Sequence, residues 1–275
     1  MVDVVPAVVG GIGLLIGSFL NVVVHRVPLG RSVVSPPSAC GECGAGIRPR
    51  DNVPVLSWLL LRGRCRDCGA RISARYPLVE LGTAIAFALV AWWVTTAFPA
   101  ANASSIVGLG SALAAFLYLA AISVALTMID LETHTLPNRI VLPAYAVAAA
   151  LLIPAALLIG EPGRLVTAAI GAAALFGAYL LIVLAYPGGM GLGDVKLAGV
   201  LGMYLGWLGW GPLAVGAFAA FVLGGLFGAI LMLVHRANRK TAIPYGPWMI
   251  AGAWVGVFAG DWLAAAYLRL FGLGE

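Results

Sequence analysis

Gly188-Gly189-Met190-Gly191-Leu192-Gly193-Asp194-Val195-Lys196-Leu197 lies between two long apolar runs, Leu165 to Tyr186 before it and Val195 to Trp210 after it. A carboxylate beside a membrane span is costly to keep, so such a residue is a functional candidate by default. The four glycines ahead of Asp194 admit backbone conformations closed to other residues and let another chain come close. One acid does not make a hydrolytic site, and the question is what stands opposite Asp194.

Of the 275 residues, 62% are hydrophobic and 10% charged, against roughly 25% charged in an ordinary soluble domain. Several apolar runs reach or approach the ~20 residues that cross a bilayer. The pattern predicts an all-α polytopic membrane protein with about eight transmembrane helices: Val4–Val24, Pro77–Phe98, Ile106–Ile129, Ile140–Gly160, Leu165–Tyr186, Val195–Trp210, Pro212–Val234 and Trp248–Phe271. The sixth is short and Gly-rich, and Gly211-Pro212 is expected to supply the break before the seventh. With the N-terminus outside, fourteen of the sixteen Lys and Arg fall in inner segments, leaving only Arg164 and Arg269 outside. The net charge of +5 therefore reads as an N-out/C-out topology signal, and no nucleic-acid partner is expected. The first span lacks a basic n-region and is followed by positive charge, so it is expected to be a retained anchor and not a cleaved signal peptide.

His25 to Tyr76 is the one sizeable hydrophilic segment, and it holds all four cysteines as Cys40-Gly-Glu-Cys43 and Cys65-Arg-Asp-Cys68, 21 residues apart. Two C-x2-C pairs at this spacing point to a tetrahedral zinc site, each pair gripping the metal from a tight turn. Gly41, Gly44, Gly63 and Gly69 suit such knuckles. Two disulfides are the competing reading, and they do not fit a basic loop on the cytoplasmic side, where thiols stay reduced. Four thiolates leave no open position, so the zinc is structural, a staple for a segment with little core of its own. Asn52 to Leu61 between the pairs is apolar enough to lie against the membrane or the helices. The expected organisation is residues 1–24 as the first span, 25–76 as a cytoplasmic zinc-binding domain, and 77–275 as a seven-helix membrane domain.

Among the remaining polar residues, Asn21 lies within the first span and should face other helices; His25 and Arg26 mark its cytoplasmic edge. Glu80 lies one turn inside the second span, where it either caps the helix N-terminus or serves function. Asp130, at the cytoplasmic mouth of the third span, is the counterpart of Asp194 at the mouth of the sixth. An acid near a helix C-terminus is locally unfavourable, so Asp130 needs a reason to be there. Glu132 and His134 read as solvated loop residues; no H-E-x-x-H pattern occurs, so a catalytic metal is not expected. Gly189-x-Gly191-x-Gly193 lacks the βαβ context and third glycine of a dinucleotide fingerprint. His235 to Lys240 forms a basic stop, Ile243-Pro-Tyr-Gly-Pro247 a stiff non-helical corner at the inner surface. Asp261, in the outer half of the last span, reads as an interhelical or interfacial contact.

Two facing aspartates share a proton, and such a pair activates water with the ionised acid while the other protonates the carbonyl oxygen. The residues alone leave this open beside a transporter that uses Asp130 and Asp194 as a proton relay, and beside a non-enzymatic scaffold.

Resemblance goes further. Gly191-Leu-Gly193-Asp194 resembles the G-x-G-D signature of intramembrane aspartyl proteases, and the longer Gly189-Met-Gly191-x-Gly193-Asp194-Val-Lys196-Leu looks like the bacterial type IV prepilin peptidases. Gly17-Ser-Phe-x-Asn21-Val with Arg26, the C-x2-C pairs around Asn52-x-Pro54-x-x-Ser57-Trp58, and Ile72-Ser-x-x-Tyr76-Pro77-x-Val-Glu80 carry the likeness through the first third of the chain. Asp130 with Leu136-Pro137-Asn138, and Ile243-Pro-Tyr-Gly246-Pro247, carry it through the rest. The Pro-Ala-Leu tripeptide of presenilin-like proteases does not occur. The resemblance implies a bifunctional enzyme of the bacterial inner membrane that cleaves the basic leader of prepilins and pseudopilins after a glycine, on the cytoplasmic side. It then N-methylates the new amino terminus with S-adenosylmethionine. Asp130 and Asp194 take the catalytic positions, with Gly191 and Gly193 beside them. The cysteine-bearing loop, absent from shorter members that only cleave, is similar to the segment associated with methyl transfer. Asn21, Arg26, Asn52 and Glu80 are its candidate supports. A peptidase without methyl transfer is the nearest alternative.

Overall fold

A computed structural model describes residues 4–98, 102–186, 190–234 and 244–272. The expectations placed on Gly188 and Gly189, on His235 to Lys240 and on Ile243 lie outside those residues. The helices are α1 (Val4–Arg26), the short α2 (Leu56–Leu60), α3 (Arg75–Ala97), α4 (Ala103–Thr133), α5 (Asn138–Leu158), α6 (Gly163–Ala185), α7 (Leu192–Leu208), α8 (Trp210–Leu233) and α9 (Gly246–Leu270). Extended pairing among the described residues is limited to two isolated bridges, Ala39 with Gly46 and Arg64 with Arg71.

Seven of these helices, α1, α3, α4, α5, α6, α8 and α9, are long and apolar enough to cross a membrane. The protein is an all-α integral membrane protein. Their outward faces carry side chains such as Leu181, Phe218 and Leu226 in the open, a surface that lipid covers at no cost. α7, the sixth of the expected spans, has 17 residues. At 1.5 Å per residue it rises about 25 Å, short of the ~30 Å hydrocarbon core.

The chain divides into two compact units, Met1–Pro99 with Phe116–Met128, and Ala100–Ala115 with Ile129–Glu275. In the first, α1 lies against α3 through glycines. A Cβ built on Gly17 would stand 2.6 Å from the Glu80 Cα, and one on Gly13 2.8 Å from the Ala84 Cα. In the second, α7 packs on α5, α6, α8 and α9. Eleven of its residues are buried, Val195 and Leu197 through Trp207 with only Met203 omitted, as expected of a helix apolar on every side. Its large rings find polar partners inside: the Tyr204 hydroxyl donates to the Ala115 carbonyl at 3.1 Å, and Trp207 Nε1 to that of Leu152 at 3.2 Å. Between α6 and α7 the backbones touch, because a Cβ on Gly202 would overlap the Gly171 carbonyl. Without a hydrophobic force between helices in lipid, this close packing of small residues is what joins them.

Three expectations change. The break before α8 falls at Gly209, not at Gly211-Pro212. Gly209 adopts φ +139°, a conformation closed to residues with a Cβ, while Pro212 sits in the first turn of α8, where its missing N–H has no intrahelical partner to lose. α4 starts earlier and ends later than Ile106–Ile129. Asn102 accepts from the Ser105 N–H and opens the helix with a capping box, and the helix runs on through Asp130 and Glu132. Glu132 is thus helical, although it is exposed as a solvated residue should be.

The α6–α7 contact yields a paired test in thermal unfolding of detergent-solubilised protein. Gly202→Ala is expected to destabilise by at least the ~1–3 kcal/mol of an overpacked core. Gly177→Ala, where an added Cβ meets nothing within 4 Å, should be neutral or stabilising by up to ~1 kcal/mol. Equal effects at the two positions would rule out the close contact.

Candidate active site and metal centre

Asp130 occupies the last turn of α4. His134 closes that helix in the left-handed conformation, φ 51°, with its N–H on the Asp130 carbonyl at 2.9 Å, a common helix stop. The Asp130 side chain is not spent on its own helix. Its Oδ2 accepts the N–H of Gly246 at 3.0 Å, from 116 residues further on. Gly246 opens α9, where N–H groups lack partners and the helix dipole favours an anion. This contact is the reason an acid is tolerated at a helix C-terminus. It also requires glycine, since a Cβ on Gly246 would stand 2.8 Å from the Asp130 Oδ2.

Asp194 lies in the first turn of α7, half-buried. Its Oδ2 accepts the Gly191 N–H at 3.1 Å, the acid's half of a capping box. Leu136, in the turn between α4 and α5, fills the space between the two glycine elbows. A Cβ on Gly193 would stand 3.0 Å from the Leu136 Cβ, and one on Gly246 3.3 Å from its Cδ2. Asp130 and Asp194, 64 positions apart in sequence, are thus both placed beside Leu136, through Gly246 and Gly193. The first turn of α7 is pinned from α5, with Lys196 Nζ donating to Asn138 Oδ1 at 3.0 Å and the Tyr145 hydroxyl to the Lys196 carbonyl at 2.7 Å. Tyr245, just before Gly246, packs its ring against Tyr179 and Phe221.

The other candidate residues gather in the first unit. Asn21 Nδ2 donates to the Tyr76 carbonyl at 3.2 Å. Arg26 holds the chain leaving α1, donating to the Ser32 carbonyl at 3.1 Å and the Pro36 carbonyl at 2.7 Å. Glu80, 8% exposed, does not cap its own helix. Its Oε2 accepts the Val55 N–H at 2.7 Å. Asn52 follows the 3-10 turn Pro49–Asp51. Inside the loop, Ser57 Oγ accepts the Val53 N–H at 3.0 Å and donates to the Arg50 carbonyl at 3.1 Å. Neither the Gly246 contact nor the Val55 contact is written in the local sequence; the prolines and glycine around Tyr245 gave only a sign that the corner was special.

All four cysteines are free, and their sulfurs lie within 4.8 Å of one another. Cys40 and Cys68 Sγ are 3.9 Å apart. Four sulfurs each about 2.3 Å from one tetrahedral ion would stand about 3.8 Å apart, whereas a disulfide needs about 2.05 Å. The donor set fits a metal ion. The two knuckles are built alike: the Cys40 N–H bonds the Ala45 carbonyl as Cys65 does that of Ala70, and Gly44 and Gly69 both take φ +71°. Gly41 needs no such freedom, and Gly63, at φ +64°, also seats the Trp58 ring, 2.8 Å from a would-be Cβ. The backbone N–H groups of Cys43 and Glu42 hold the Cys40 thiol down at about 7, whereas the sulfurs of Cys43, Cys65 and Cys40 push the Cys68 thiol up, so in the absence of a cation the four do not all become thiolates together. Arg66, inside the second knuckle, grips Asp51 with two nitrogens at 2.6 and 2.9 Å and keeps its carboxyl below the usual range. Arg48 reaches Asp67 at 2.8 Å. These surface pairs orient the loop more than they stabilise it.

Residues 12–94 match the model of the bacterial peptidase A24 N-terminal domain, and residues 116–233 that of the type IV leader peptidase family. A prepilin leader peptidase/N-methyltransferase of Pseudomonas putida is 36% identical over 95% of this chain and 93% of its own length. Proteins of the same name from Aeromonas salmonicida and Neisseria gonorrhoeae are 37% and 33% identical, over 93% and 91% of this chain and 91% and 89% of theirs. No solved structure matches significantly. With both parts of the chain matched by family models and relatives alike over nearly its whole length, the protein belongs to the type IV leader peptidase family of prepilin leader peptidase/N-methyltransferases.

Proposed function

We propose that this protein is an aspartyl endopeptidase of the bacterial inner membrane that removes the leader of type IV prepilins or pseudopilins at the cytoplasmic face, with Asp130 and Asp194 as its catalytic pair. The observation that carries this reading is that each acid has one oxygen held by a main-chain N–H at a helix start, with Leu136 packed against the glycine beside each. The chemistry falls to the second oxygen of each. The ionised acid takes a proton from water as its oxygen attacks the scissile carbonyl, and the protonated acid gives its proton to the carbonyl oxygen. The tetrahedral diol then collapses, the C–N bond breaks, and the departing nitrogen takes a proton. Gly191 leaves room for a substrate backbone alongside Asp194, and Gly193 supports the site by letting Leu136 pack against the start of α7. A prepilin, with its basic leader in the cytoplasm and its apolar helix in the bilayer, offers its scissile bond at the inner interface, and the distribution of Lys and Arg supports the same level for both acids.

The same protein N-methylates the new amino terminus. S-adenosylmethionine, when bound, supplies a methyl carbon on a positively charged sulfur. With the donor bound, that methyl group would pass to the unprotonated amine, which would then give up a proton. The cysteine-bearing loop serves this step, with Asn21, Arg26 and Glu80 as positioning residues that fix the loop to α1 and α3. Its metal is zinc, held by Cys40, Cys43, Cys65 and Cys68 in a closed structural site.

Incubating purified protein with a prepilin and S-adenosylmethionine and weighing the product N-terminus should reveal cleavage and one added methyl group. Asp130→Asn and Asp194→Asn should each abolish cleavage with membrane insertion intact; full processing by either variant would refute the dyad. Reduced protein should carry one zinc per chain by elemental analysis, and Cys43→Ser should lose it. Because each thiolate is held in competition with protons, zinc retention falls as pH is lowered. A metal-free, fully folded loop would overturn the assignment.

A further inference from the structure

A cleft of about 260 Å³ opens between α1 and the cysteine-bearing loop, near the lower end of the roughly 300–1,000 Å³ of small-molecule sites. Ser18, Phe19 and Val22 form its α1 wall; Ser38, Asn52 and Pro54 form the loop wall. None of these side chains has a part in the aspartate site.

The loop wall is held in a conformation the chain would not choose. Val55 takes φ 60° and ψ −51°, a γ-turn of the rare hand, closed by the Leu56 N–H on the Pro54 carbonyl. A β-branched residue is least suited to it. The turn survives because the buried Glu80 carboxylate accepts the Val55 N–H, while Ser57 accepts that of Val53. Backbone strain that surrounding groups hold in place is a mark of a functional site, and here it sets Asn52 and Pro54 at the mouth of a cavity.

We infer that this cleft binds the methyl donor, S-adenosylmethionine, with its adenine between Phe19 and Pro54. This rests on the methyl-transfer reading above. Phe19 and Val22 give a flat purine an apolar wall, and the face of an aromatic ring also attracts a cationic sulfur. The Asn52 amide offers a donor and an acceptor side by side, the pattern that meets the N6 and N7 edge of adenine. The Ser18 and Ser38 hydroxyls supply partners for the sugar or the amino-acid end. Both walls are fixed: Glu80 ties the loop to α3, and Asp51, next to Asn52, is gripped by Arg66 of the second knuckle.

The test is photo-cross-linking of the intact, zinc-loaded protein with an azidoadenine analogue of S-adenosylmethionine, followed by peptide mapping. Label competed by S-adenosylhomocysteine should fall in residues 15–22 or 38–54. Calorimetric binding of S-adenosylhomocysteine should weaken at least tenfold in both Phe19→Ala and Asn52→Ala at unchanged zinc content. Label confined to residues 190–250, or wild-type affinity in both variants, would overturn the site while sparing the methyl-transfer reading. Absence of saturable binding to the unaltered protein would remove that reading and the site together. The cross-link is made on the unaltered protein, so it decides even should a variant misfold.

Discussion

Three acids in or beside apolar helices are each held by a main-chain N–H at the start of another helix or of their own. Asp130 has Gly246, Asp194 has Gly191, and Glu80 has Val55. A carboxylate away from water needs hydrogen bonds to be tolerated, and a helix N-terminus offers unpaired donors with a favourable dipole. A neutral donor orients an acid without cancelling its charge, so the acid stays able to exchange a proton. A lysine or arginine in the same place would bind the carboxylate more strongly and commit it to the ionised state. The architecture follows from this choice, since each acid must lie where a helix begins.

That requirement explains where glycine is indispensable. Gly246 can bring its N–H to Asp130 only because no Cβ stands between them, and the α1–α3 and α6–α7 contacts are close for the same geometric reason. A membrane protein rich in glycine is therefore not a loose one. In lipid, where apolar side chains gain nothing by leaving the solvent, close backbone approach is the main source of cohesion.

Much of this could be read in the sequence, and the failures share a cause. The spans followed from apolar runs and the metal centre from two C-x2-C pairs. The two acids stood out because each interrupts a run. Gly209 was missed because Gly-Pro is the stronger local sign of a break, whereas φ at Gly209 is set by how α7 and α8 join. The end of α4 was misplaced because Asp-Leu-Glu-Thr looks like loop, and only the tertiary contact to Gly246 makes a helical Asp130 affordable. Glu80 looked like a cap because its partner, Val55, lies 25 residues back in a turn that no pattern announces. Local chemistry was legible; pairings between distant segments were not.

The burial of α7 reaches beyond packing. Helices that face lipid must answer to bilayer thickness, tilting or stretching to match it, at a modest cost for each ångström of mismatch. α7 is sheathed by its neighbours along most of its length, so that adjustment falls to α5, α6, α8 and α9. Asp194 is thereby mounted on a helix largely insulated from the elastic state of the membrane.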